Sequence, residues 1–345
     1  MNKLFSYIAV AAAAFAIFSC QKEPAQPVVE EPVVELEYET VTFDVAAPAG
    51  AQTKTSYGET VTFTPELHVA VYVGSENAFG TPGQYLKDVK TEIERKNQTE
   101  WKVTLSLVKN YHYDIVFWAQ KEGAPYGLDW EKGTITAKYT VPANDITRDA
   151  FYHLCENYNY LTDQKGDAAY KVALKRPFAQ INLGAADYSE LVALYEFIGK
   201  KDSDLQTKIA SQKKTSSVGL SIPSVLHVLT GIADTPAPIE FTLAATTPAD
   251  GAYDLVAREN DITVADKNYT LVGTNYVFAN VHKPENPVAD LTLTFAYNGQ
   301  SFDINVPNVP YARNYQTNIL GNFFTSNASF DVVIVPGFDG DLIKQ

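Results

Sequence analysis

From Tyr38 onward the chain alternates apolar and polar residues. "YETVTFDVAA" puts Tyr38, Thr40, Thr42 and Asp44 on one face and Val41, Phe43 and Val45 on the other, the signature of a half-buried strand. "ETVTFTP", with Val61 and Phe63, and "ELHVAVYVG", with Leu67, Val69, Val71 and Val73, repeat it. "EWKVTLSLVKN" and "YHYDIVFWAQ" predict two more strands, with Lys109-Asn110 between them as a candidate hairpin turn. In the second, Tyr111, Tyr113, Ile115 and Phe117 share a core face, which leaves His112 and Trp118 as the candidates for exposure. "GTITAKYTVP" is a further strand, Ala150–Tyr160 is ambiguous, and "AYKVALKRPFAQINLG" reads as one long strand or as two bent at Pro177.

The exception to period two is residues 187–214. There Leu191, Leu194, Tyr195 and Ile198 recur at helical spacing after Asp187 or Ser189 as N-cap, so a short helical insertion is expected. Strands then resume through "SSVGLSIPS", "IEFTLAAT", "GTNYVFANV", "ADLTLTFAY", "QSFDINVPNV", "YQTNILGNF" and "SFDVVIVPGF". Asn298-Gly299 is a two-residue hairpin signal, because both residues tolerate positive φ. Many short strands with frequent turns imply an all-β protein of antiparallel sandwiches. A break near residues 165–187 divides it into an N-terminal domain, 38–175, and a C-terminal domain, 176–345.

The segment before Tyr38 has a different pattern. Lys3 carries the only charge ahead of an apolar run, Leu4–Phe18, that is shorter than the roughly 20 residues a membrane-spanning helix needs. Ile17-Phe18-Ser19-Cys20 resembles the lipobox of bacterial lipoproteins, which makes residues 1–19 a signal peptide and Cys20 the acylation site. Residues 20–37, punctuated by Pro, Val and Glu, cannot pack a core and read as an extended tether. Acyl chains contribute about 0.8 kcal/mol per buried methylene, so several on one cysteine hold a protein durably to a membrane. Gln21-Lys22-Glu23 resembles the short acidic surface-export tag of Bacteroidetes lipoproteins.

Composition narrows the function. The 345 residues carry 27 Lys+Arg against 41 Asp+Glu, a formal net charge of −14, and removal of Lys3 with the signal peptide makes the mature chain more acidic still. Such a chain repels phosphate backbones and shows no basic stripe, so nucleic acid is not an expected partner. With Cys20 lipidated, Cys155 lacks an intrachain partner, which excludes a disulfide framework and a cysteine metal site.

No catalytic constellation stands out. His68, His112, His153, His227 and His282 are scattered without ligand spacing. "GLSIP" lacks the second glycine of a nucleophile elbow, and no phosphate-binding glycine loop occurs. Asp202-Ser203-Asp204 and Asp339-Gly340-Asp341 fall short of a calcium loop and read as solvated turns. The expectation is a non-enzymatic protein with no cofactor and no metal.

"LKRPFAQINLG" (Leu174–Gly184) and "YARNYQTNILGNFFTSNASFDVVIVPGFDGD" (Tyr311–Asp341) resemble the fimbrillin-like lipoproteins of Bacteroidetes. "AQTKTSYG" (Ala51–Gly58) and "YDIVFWAQ" (Tyr113–Gln120) look like the first half of the same family. The resemblance implies two transthyretin-like β-sandwich domains and assembly into type V pili by strand exchange. In that scheme a trypsin-like protease cuts after a basic residue near the first strand, and a strand from the next subunit fills the vacated groove. Carried onto this chain, Lys54 is the candidate cleavage site, in place of the family's usual arginine. Val41, Phe43 and Val45 mark the displaced strand.

Phe330, Val332 and Ile334 mark a candidate donor, a segment equally readable as a strand buried in its own domain. The expected partners are other pilus subunits, the outer membrane through the lipid anchor, and a host or bacterial surface ligand. A surface glycan-binding lipoprotein of a polysaccharide-uptake system would share the anchor, tether and sandwich, and is the rival reading.

Overall fold

The structure is a computed structural model, and it describes residues 36–48, 52–54, 60–62, 64–76, 80–137, 148–164, 168–197, 215–234, 237–242, 258–264, 266–279, 288–297, 300–323 and 329–336. Glu37–Gln345 form one unit; Met1–Leu36, Leu36 apart, lie outside the described residues.

The first half of the chain supplies β1 (Tyr38–Ala46), β2 (Gln52–Lys54), β3 (Thr60–Thr62), β4 (Glu66–Val73), β5 (Thr91–Arg95), β6 (Glu100–Val108), β7 (Tyr113–Gln120), β8 (Tyr126–Asp129), β9 (Thr134–Ala137) and β10 (Ala150–Tyr158). A one-turn helix α1 (Tyr160–Asp163) and β11 (Tyr170–Ala173) follow. The second half supplies β12 (Phe178–Ala185), helix α2 (Tyr188–Phe197), β13 (Thr215–Ile222), β14 (Val225–His227), β15 (Ile232–Asp234), β16 (Ala237–Thr242) and β17 (Arg258–Val264). It ends with β18 (Lys267–Phe278), β19 (Val288–Tyr297), β20 (Gln300–Pro310), β21 (Tyr315–Asn322) and β22 (Ser329–Pro336).

The all-β expectation holds. A four-stranded sheet, β11-β1-β6-β5, packs on a three-stranded one, β10-β7-β4. Their shared core holds Val41, Phe43, Val45, Val103, Leu105, Ile115, Phe117, Phe151 and Val172. Strand β6 alternates strictly between buried and half-buried residues, as a one-sided strand should, whereas β7 is buried almost throughout. The reason is a third layer: Tyr72, Val116, Trp118 and Tyr152 on the far face of β10-β7-β4 pack with Tyr126, Ile135, Leu226, Val228, Phe178, Tyr276 and Phe278. The sheet that contributes to this layer, β15-β14-β9-β8, draws strands from both sides of residue 175.

Two sequence readings change. Trp118 is not exposed but fully buried, its ring 5.5 Å from Tyr126 and 6.3 Å from Phe178, and its Nε1–H donates to Gln120 Oε1 at 2.7 Å. Alternation identifies two faces but cannot say that both are covered. Lys109-Asn110 is not a hairpin turn, because β6 and β7 belong to different sheets and the turn, with Asn110 at φ 66, crosses from one to the other.

The 169–184 segment is two strands, β11 ending at Ala173 and β12 starting after Pro177. Helix α2 begins directly after Asp187, while the rest of the expected helical stretch, residues 198–214, lies outside the described residues. Strands β19 and β20 pair up to Tyr297↔Gln300, either side of Asn298-Gly299, which lie outside the described residues themselves.

The remaining sheets are β17-β18-β12-β21-β22 and β16-β13-β19-β20. The molecule also departs from a purely antiparallel plan, since β1 runs parallel to β11 and β12 parallel to β21.

Candidate functional site

Strand β1 lies inside its sheet rather than at an edge. It pairs antiparallel with β6 over its whole length, Tyr38↔Val108 to Ala46↔Glu100, and parallel with β11 from Phe43↔Tyr170 to Ala46↔Ala173. Val41 and Phe43 are 0% exposed and Val45 is 1% exposed. The Phe43 ring sits 5.0 Å from Tyr158, 5.4 Å from Phe117 and 5.8 Å from Tyr170, tilted or edge-on in each case. Burying three such side chains contributes about 1.5–3 kcal/mol each. Lys109, at the far end of β6, holds the start of β1 through an exposed pair, Nζ to Glu37 Oε2 at 3.1 Å.

Lys54 is the last residue of β2, which forms a three-pair ladder with β3, Lys54 opposite Thr60. Among the described residues β2 and β3 form a two-stranded sheet of their own. Phe330, Val332 and Ile334 fall on β22, an edge strand held on one side by β21 through Ser329↔Asn322 to Pro336↔Tyr315. Val332 is half-buried there, and its neighbour Val333 packs with Leu271 and Leu320. Cys20 and the tether lie outside the described residues, apart from Leu36 and Glu37.

Cys155 is buried on β10, and burial pushes its thiol up to about 12, the direction that makes it a poor nucleophile. Burial lowers the pKa of His68 and of His153 and holds both neutral. Among the described residues no group of three His, Cys, Asp or Glu could hold a metal ion, and no helix is long and apolar enough to cross a membrane.

Sequence reasoning missed two polar arrangements in the motif segments. Arg176 grips the buried Asp149 with Nε at 2.8 Å from Oδ1 and Nη2 at 2.6 Å from Oδ2, and lies 5.0 Å over the Phe151 ring. Burial raises the Asp149 pKa, and the Arg176 guanidinium opposes that rise. Arg313 donates its Nε–H to the Arg176 carbonyl at 3.1 Å and stacks over Tyr152 at 5.1 Å.

The second arrangement is an amide ladder. The parallel register of β12 and β21 sets Gln180 beside Gln316 and Asn182 beside Asn318. Gln316 Nε2 donates to Gln180 Oε1 at 2.9 Å, and Asn182 Nδ2 to Asn318 Oδ1 at 2.8 Å, all four residues buried. The signal lay in the sequence as Gln-x-Asn in both motifs. Only the parallel pairing brings the two copies together.

The chain belongs to a protein family described as "Family of unknown function (DUF6562)", which matches residues 34–345. No curated protein matches it by sequence. Among solved structures it is similar to the tip fimbrial protein Mfa3 from Porphyromonas gingivalis with C-terminal truncation. That match has 12% identity and a TM-score of 0.42, and covers 86% of this chain and 100% of that one. A fimbrial assembly protein from Parabacteroides distasonis matches at 11% identity and TM-score 0.40, covering 87% and 100% of the two chains. A fimbrial protein from Bacteroides vulgatus matches at 10% identity and TM-score 0.38, covering 86% and 99%.

Proposed function

We propose that this chain is a non-enzymatic, cell-surface fimbrillin-like lipoprotein, anchored through Cys20 until a cut releases β1 and then joined to its neighbours by a strand that takes the place of β1. The observation that carries the reading is the placement of β1. It is the first strand in the sequence, yet it lies between β6 and β11 with Val41, Phe43 and Val45 all turned into the core. One cut at Lys54 frees that strand while the rest of the chain remains continuous.

The vacated slot spans nine residues, about 30 Å at 3.3 Å per residue, and is lined by Phe117, Tyr158 and Tyr170. Its walls are two rows of unpaired backbone groups, normally a liability and here a linkage. A donor must run antiparallel to β6 and parallel to β11 with apolar residues at every second position. Strand β22, with Phe330, Val332 and Ile334, meets the spacing requirement and has only one neighbour to leave. The partners are then other copies or paralogues of this subunit; the lipid on Cys20 leaves with β1, so it holds the chain to the outer membrane only before the cut.

Mass spectrometry of the mature N-terminus, on protein recovered from the cell surface, tests the reading. A chain starting at Thr55 that forms detergent-resistant ladders is the expected outcome. An acylated Cys20 with no downstream cut would leave a monomeric anchored protein and sink strand exchange.

A further inference from the structure

One concave site stands apart from β1. On the sheet β17-β18-β12-β21-β22 the middle strand stops early. Its last pairs are Ala185↔Thr270 on one side and Ala185↔Gly321 on the other. Both neighbours run on, β18 with Lys267–Tyr269 paired to β17, and β21 with Asn322 paired to Ser329 of β22. The chain leaves at Ala186, whose N–H donates to the Gly321 carbonyl at 2.7 Å. Ending a strand between two longer ones leaves a notch about two strand spacings, roughly 9.5 Å, across. The resulting cavity has a volume of about 440 Å³, within the range of small-molecule sites.

The notch is lined selectively. The register puts Lys267, Tyr269, Leu320, Asn322 and Asp331 on one face of the sheet. Leu320 is buried and supplies the apolar floor; Tyr269 and Asn322 are half-buried walls; Lys267 and Asp331 are exposed at opposite sides. Among the described residues, the side chains of Lys267, Tyr269, Asn322 and Asp331 make no hydrogen bond or ion pair with the protein. Lys267 and Asp331 sit on strands three spacings apart, about 14 Å, too far to neutralise each other. Among the described residues Asp266, directly before Lys267, makes no ion pair with it, and Asp187, next to Ala186, is buried and accepts from the Phe323 N–H at 3.0 Å.

We infer that this notch is a binding site for a short, carboxylate-bearing saccharide. A cation on one wall suits the carboxylate, a phenol ring beside it offers a face to a sugar ring, and an amide and a carboxylate opposite suit hydroxyl groups. The placement of the two charges fixes the orientation: acid towards Lys267, hydroxyls towards Asn322 and Asp331. This inference does not rest on strand exchange, and its failure would leave that proposal standing.

The test is calorimetric titration of the purified full chain with digalacturonate and with maltose at low salt, with circular dichroism as the folding control. Digalacturonate is expected to bind at least about tenfold more tightly than maltose, the minimum that one charge-assisted hydrogen bond supplies. Lys267→Ala and Tyr269→Ala should each weaken it by about tenfold or more, while Lys132→Ala, remote on β8-β9, should leave it unchanged. Three results overturn the inference: no heat with digalacturonate, equal binding of maltose, or binding that survives Lys267→Ala in a folded protein.

Discussion

The two parallel strand pairs among the described residues are built from opposite materials. Strand β1 meets β11 over aromatic and aliphatic side chains, with Phe43 among Phe117, Tyr158 and Tyr170. Strand β12 meets β21 over buried carboxamides, Gln180 with Gln316 and Asn182 with Asn318. Apolar attraction is non-directional, so a slot lined with it accepts any strand of the right spacing and volume. A buried amide without its partner costs its full desolvation, so the ladder accepts only its own register. The first pair suits replacement and the second suits permanence.

Substitutions separate the two directly. Phe43→Ala should cost the most, about 3–5 kcal/mol in urea denaturation, because the ring leaves a cavity among three others. A loss under 1 kcal/mol would mean the slot collapses freely and is not a preformed groove. Asn182→Leu should cost about 1–3 kcal/mol by stranding the Asn318 carbonyl, and adding Asn318→Leu should restore most of it. If the double variant is as unstable as the sum of the singles, shape rather than amide pairing holds that register.

Acid should act through two histidines of the three-stranded sheet β10-β7-β4. His68 on β4 and His153 on β10 have pKa values lowered by burial from 6.5, so the unfolded chain binds protons that the fold refuses. Stability is therefore complete above about pH 6.5 and declines as pH falls below it. Burial raises the pKa of Glu39, of Asp114 and of Asp149, an effect of opposite sign as pH falls. Denaturation midpoints at pH 7.5 and 5.5, measured with and without His68→Gln and His153→Gln, isolate the histidines: the loss of stability at pH 5.5 should shrink in the variant. Smallest in energy is the Cys155 thiol, pushed up to about 12 by burial and by Asp163. It should react with a thiol reagent only as fast as the sandwich opens, and a fast reaction in native buffer would contradict that burial.

The period-two pattern made β1, β4, β6 and the burial of Val41, Phe43 and Val45 readable, because one face of each was apolar and spaced by twos. It could not show that the outer face of β7 is also covered, since Trp118 there meets Phe178 and Phe278, far along the chain. Nor could it reveal the notch beside Ala186. That site depends on one strand ending one to three residues before its neighbours, and strand ends are the least marked feature of a sequence. The Arg176–Asp149 pair was hidden in the same way, its partners lying on opposite sides of the β10–β11 crossing.

The layer carrying Tyr72, Val116 and Trp118 also constrains the order in which the chain can be completed. Its cover comes from Leu226, Val228, Tyr276 and Phe278. A chain delivered N-terminus first, at roughly 5–20 residues per second if synthesis sets the pace, shows that apolar face to water for several seconds before its lid arrives. For that interval the first sandwich is whole on one side and adhesive on the other, so a holding factor or a dilute environment decides whether it matures or aggregates.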